Sequence, residues 1–140
     1  MAASTELIEM KVYFEEGIPG FLDLRFFQIK QQEKDSPFFL LVSLENPSIE
    51  FGLINPFSFF SNYEFQVDQQ MKGQLGINDD TAIIVLNIVT IQGGGEVTVN
   101  MKAPVIINLD NQKAKQVILN DDRYPIRQPL FSIERKVASE

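Results

Sequence analysis

Polar and apolar residues alternate with a period of two along much of the chain, the pattern of strands with one buried face. From Leu7 to Phe14, Glu9 and Lys11 fall between apolar neighbours and predict a first strand. Gly17 and Pro19-Gly20 then break the pattern. Gly17 can take positive φ, and Pro19-Gly20 suits the central positions of a type II turn. Leu22 to Leu24 fits one short helical turn, and Arg25 to Lys30 a second strand, followed by a polar hairpin loop from Gln31 to Ser36. Pro37 to Leu44 is the most continuously apolar segment; its length is that of a strand buried on both faces, expected at the centre of a sheet. A turn at Glu45 to Ser48 leads into a further strand, Ile49 to Ile54.

The periodicity changes once. Asp68 suits a helix N-cap, Met71 and Leu75 lie four apart on one face, and Gly76 suits the stop, so Asp68 to Leu75 predicts the one short helix. Before it, Asn55 to Phe65 is dense in aromatic residues; Asn55-Pro56 should start a turn, and the rings should pack down onto the core. After it come a turn at Asn78 to Asp80 and a long strand, Thr81 to Ile91. Gly93 to Gly95 forms a hairpin turn from that strand to Glu96 to Met101. Val105 to Leu109 and Gln116 to Leu119 predict a barrel-closing hairpin across a polar turn from Asp110 to Lys113. Tyr124 to Phe131 reads as a proline-punctuated tail, and Ser132 to Glu140 as a frayed end or marginal helix.

So many short strands with one helix predict an all-β domain over residues 1–131, with 132–140 as a tail. A small closed or nearly closed antiparallel β-barrel removes the exposed strand edges that such a sequence would otherwise present. One hundred and forty residues suffice to bury a core without metal or disulfide staples.

The chain has neither histidine nor cysteine, which excludes the usual zinc sites, the Cys-His dyad and the Ser-His-Asp triad. No phosphate-binding glycine motif occurs, and the glycine cluster lies between strands rather than before a helix. The carboxylate pairs Glu15-Glu16 and Asp121-Asp122 are sequence neighbours, which point apart in a strand or face water in a turn, so neither makes a catalytic dyad. The chain therefore reads as a non-enzyme with no cofactor and no metal. Asp79-Asp80 and Asp121-Asp122 read as capping and solvating groups. No apolar run approaches the roughly 18 residues of a membrane span, and the N-terminus lacks the features of a signal peptide; with no cysteine, a cytoplasmic location is expected.

Charge adds a direction. The net charge of −7 argues against direct binding to a nucleic-acid backbone. Residues 1–100 hold 14 acidic and 5 basic residues, a net of −9, whereas residues 101–140 carry a net of +2. An acidic body with a mildly basic final third either steers a basic partner or serves solubility alone. The candidate partner contacts are Asn55 and Tyr63 in the aromatic loop, and Lys115, Arg123 and Arg127 in the basic third. Each has a plainer reading: an Asx-turn for Asn55, a core tyrosine for Tyr63, solvated cations for the other three. Twelve phenylalanines also allow a small-molecule-binding barrel with an aromatic-lined cavity. Nothing in the pattern requires more than a monomer.

Five segments in order add a resemblance: Glu16 to Phe21, Asn55 to Phe60 with Tyr63-Glu64-Phe65, Ala103 to Asn108, Lys115 to Leu119, and Tyr124-Pro125 through Pro129-Leu130-Phe131. Together they resemble the FliW family of bacterial flagellar assembly factors, from about Glu6 to Phe131. Asn100-Met101-Lys102 departs mildly from the Asn-Leu usual before the Ala-Pro element. The resemblance implies a non-enzymatic β-barrel that binds flagellin in the cytoplasm. It further implies binding to CsrA, an RNA-binding translational regulator, which is released to repress flagellin translation when flagellin occupies the barrel protein.

Overall fold

A computed structural model describes residues 8–132. In chain order the elements are β1 (Glu9–Phe14), β2 (Phe26–Gln31), β3 (Phe38–Ser43), β4 (Glu50–Ile54), α1 (Gln69–Leu75), β5 (Ile83–Ile91), β6 (Glu96–Val99), β7 (Val105–Asn108), β8 (Lys113–Gln116) and β9 (Gln128–Ser132). Strands β4, β3, β2, β1, β8, β7 and β5 pair side by side, and β5 pairs back to β4, closing a seven-stranded barrel. Seven strands cannot all alternate in direction around a ring, so one neighbouring pair must be parallel. That pair is β1 with β8, joined at Tyr13–Lys113 and Phe14–Ala114. The other six junctions are antiparallel. Strand β6 leaves the ring on the distal half of β5, and β9 adds to β6.

The strand period divides the apolar residues between two cores. Val12, Phe14, Phe27, Ile29, Leu41, Leu53, Leu86, Val105 and Ile107 fill the barrel, all at or below 2% exposure. The outer face of β5 and β7 carries a second core, where Ile106, Ile54 and Val99 meet Tyr63, Leu75, Met101, Val117 and Leu119. The helix and the aromatic loop cover this face, so β7 is buried at all four positions.

Several boundaries differ from the sequence reading. Pro37 to Leu44 forms β3, but the strand alternates buried and half-buried residues; β7 is the strand enclosed on both sides. Leu22 to Leu24 makes a turn, with the Leu24 N–H donating to the Phe21 carbonyl and no helix following. The strand expected at Gln116 to Leu119 lies at Lys113–Gln116 instead. Val117 and Leu119 stay extended, donating to the Pro104 and Lys102 carbonyls, and their alternation serves the second core while Ile118 faces out. The proline-punctuated tail contains an unforeseen strand, β9. Pro129 is tolerated there because, among the described residues, β9 has a ladder on one side only. The readings of 133–140 as frayed or marginally helical lie outside the described residues.

Other local readings hold in detail. The Phe21 N–H donates to the Ile18 carbonyl across Pro19-Gly20, with Gly20 at φ +91° as a type II turn requires. The Asp68 carboxylate accepts from the Met71 N–H at 2.8 Å, and Gly76 closes α1 in the left-handed conformation at φ +72°.

Candidate functional site

At one end of the second core three segments meet: the aromatic loop, the turn after β6, and the stretch leading to β9. Asn55 begins the loop as the sequence suggests. Its Oδ1 accepts from the Phe57 N–H at 3.0 Å and caps a 3-10 turn over Pro56–Ser58. Tyr63 then turns inward to 4% exposure. Its hydroxyl donates to the Met101 carbonyl at 2.7 Å and accepts from Asn87 Nδ2 at 3.1 Å. Asn87 also donates to the Asn100 carbonyl at 2.8 Å, and Asn100 Oδ1 accepts from the Lys102 and Ala103 N–H groups. Burial pushes the Tyr63 hydroxyl up to about 12, against the smaller opposing effect of the Asn87 hydrogen bond.

Tyr124 faces Tyr63 edge-on, with ring centroids 4.9 Å apart. Its hydroxyl donates to the Glu64 carbonyl at 3.0 Å and accepts from the Glu64 N–H at 3.1 Å, which clamps the two segments together. Met101 N–H donates to the Pro125 carbonyl at 3.0 Å and ties in the third. Arg123 lies over the Tyr124 ring, 5.0 Å from its centroid, and holds Asp121 through Nε and Nη2. The Arg123 side chain, then its N–H, lowers the Asp121 carboxyl below the ordinary carboxylate range. These groups frame a cleft of about 250 Å³.

The structure thus brings Tyr63 and Arg123 together around Tyr124, with Arg127 exposed a few residues further on. Lys115 belongs elsewhere: on β8 it pairs with Glu16, whose other oxygen meets Gln74 on α1. There Lys115, Glu16, Asp68 and Gln70 edge a polar groove of about 260 Å³. Reading the sequence missed Asn87, Asn108 and Tyr124. Asn87 and Asn108 had a signal, as lone amides within or ending apolar strand runs. Asn108 is 1% exposed and donates to the Leu75 carbonyl at 2.8 Å, fastening the end of α1 to β7.

The phenylalanines do not converge on one cavity. Phe14, Phe27 and Phe39 are buried in the barrel core; Phe38, Phe60 and Phe65 support the second core; Phe26, Phe57, Phe59 and Phe131 are exposed. Among the described residues no three acidic side chains gather as a metal site, and no helix is long and apolar enough to cross a membrane.

A family model described as FliW protein matches residues 3–130. The chain is 42% identical over 122 residues to a flagellar assembly factor FliW of Caldanaerobacter subterraneus subsp. tengcongensis, covering 86% of this chain and 81% of that one. It is 38% identical over 124 residues to the Clostridium botulinum (strain Langeland) protein of the same name, covering 88% and 87%. A crystal structure of the flagellar assembly factor FliW superposes with a TM-score of 0.79 at 36% identity, over 94% of this chain and 89% of that one. The order of the five segments, the barrel they build and these matches agree: the chain belongs to the FliW family.

Proposed function

We propose that this protein is a non-enzymatic flagellar assembly factor that binds flagellin in the cytoplasm and, when free of it, sequesters CsrA. Flagellin accumulation then releases CsrA to repress flagellin translation, and flagellin export reverses the exchange. The observation that carries this reading is the match to flagellar assembly factors over nearly the whole chain. The barrel interior supports it over the small-molecule alternative, because side chains fill the space a ligand would need.

Charge supports the CsrA half of the reading. A net charge of −7 attracts a basic RNA-binding protein and repels the RNA phosphates it would otherwise hold. In this mechanism RNA is excluded partly through the field, without displacement from its own contact surface. The test is titration of the purified protein with flagellin and with CsrA at physiological salt, each by calorimetry. Both should bind, and loss of both interactions would remove the basis of the proposal. Neutralising several surface carboxylates while CsrA affinity is retained should weaken RNA exclusion; undiminished exclusion would sink the electrostatic part.

A further inference from the structure

The cleft between the aromatic loop and the stretch before β9 has the build of an anchor pocket. Its walls are Phe60, Tyr63, Met101, Tyr124 and Pro125, and among the described residues its one charged lining residue is Arg123. The walls are set before anything arrives. Tyr63 is held by Met101 and Asn87, Tyr124 by both backbone groups of Glu64, and Pro125 by the Met101 N–H. A pocket that needs no ordering keeps more of the contact energy for binding.

Size and charge define the occupant. About 250 Å³ falls below the roughly 300–1,000 Å³ that drug-sized ligands fill, and suits one large side chain. At the rim, Arg123 gives Nε and Nη2 to Asp121 and leaves Nη1 without a hydrogen bond among the described residues. Among the described residues Arg123 is the one charged side chain lining this cleft, and Asp121 at 2.8 Å offsets part of its charge. We infer that the cleft binds a protein segment that inserts one aromatic side chain between Phe60, Tyr124 and Pro125 and sets an adjacent carboxylate against Arg123. Buried aromatic anchors with a neighbouring arginine contact are the usual centres of protein–protein binding energy.

The test uses the ¹⁵N-labelled protein and an end-blocked hexapeptide, Gly-Gly-Phe-Glu-Gly-Gly, with Phe→Ala and Glu→Gln versions as controls. The Phe-Glu peptide should shift the amide signals of Met101, Tyr124 and Gln128 at millimolar concentration. The Ala control should leave them in place, and the Gln control should bind at least threefold more weakly. In Arg123→Gln, an exposed position whose loss leaves both cores intact and Asp121 without its cation, the Glu peptide should lose its advantage and bind no better than the Gln peptide. Absent shifts at these amides, shifts undiminished with the Ala control, or no dependence on Arg123 would each overturn the inference.

Discussion

Asn87 reaches from β5 to hold the Tyr63 hydroxyl at 3.1 Å, while that hydroxyl donates to the Met101 carbonyl at 2.7 Å. One tyrosine therefore ties the aromatic loop to both the barrel wall and the turn after β6. Tyr63→Phe keeps the ring and its stacking but leaves a buried carbonyl and a buried amide proton unpaired. The loss should be about 1–3 kcal/mol of unfolding free energy by urea titration.

The same hydroxyl makes an alkaline prediction. Its folded value of about 12 lies above the ordinary 10, so the folded state holds this proton more tightly than the unfolded chain. Its contribution is complete below about pH 10 and disappears as pH rises towards 12. Relative to Tyr63→Phe, the wild-type protein should lose stability across that window, by no more than about 2.7 kcal/mol. Parallel stability–pH curves for the two proteins above pH 10 would refute the burial argument.

Gly17 and Gly20 both have positive φ, at +71° and +91°, but their surroundings differ. A Cβ on Gly17 would lie 2.6–2.9 Å from backbone atoms of Leu22, whereas one on Gly20 would meet nothing within 4 Å. Gly17→Ala should cost more than the roughly 1–3 kcal/mol of left-handed strain alone, and Gly20→Ala no more than that. Thermal unfolding of the two variants side by side checks the order.

Glu45 accepts the Arg25 and Phe26 N–H groups at 2.7 and 3.1 Å, and these bonds lower its carboxyl below the usual 4.5. A lowered carboxyl stabilises the fold above its unfolded value and ceases to do so as pH falls through the folded one. Glu45→Gln should therefore be less stable at neutral pH and show a shallower decline below pH 4.5. Circular dichroism melts over the acid range measure both.

The ion pair between Lys115 and Glu16 is exposed on the Glu16 side, with that side chain 60% accessible. Exposed pairs contribute little, so a double-mutant cycle should give a coupling below about 1 kcal/mol. A larger value would mean that the pair, and not the neighbouring backbone ladder, secures β8 beside the Glu15-Glu16 turn.

Local rules were legible in the sequence wherever a residue acts on its own neighbours. The Asp68 cap, the Gly76 stop, the Pro19-Gly20 turn and the Asn55 cap all depend on contacts within a few residues. What depended on distant chain was harder to see. The run Val117 to Leu119 has strand character, yet whether it joins the barrel or covers it depends on Pro104 and Lys102. Pro129 obscured β9 because its fitness as an edge strand depends on β6. Tyr63 was visible as an aromatic, but its polar partners come from β5 and the turn after β6, 24 and 38 residues away. Arg123 was visible as a charge; the cleft beside it arises only when three separate segments converge.

The parallel junction of the barrel also sets a timetable. The first strand has one neighbour in β2, but its second neighbour is β8, a hundred residues later at Tyr13–Lys113. A ribosome delivering the chain from its N-terminus must therefore release everything through about Gln116 before the ring can shut. Until then β1 to β4 can form only an open sheet with the apolar faces of Phe14, Phe27 and Leu41 uncovered. Closure across so long a separation slows folding, so the nascent protein is most prone to aggregate late in synthesis, shortly before β8 emerges.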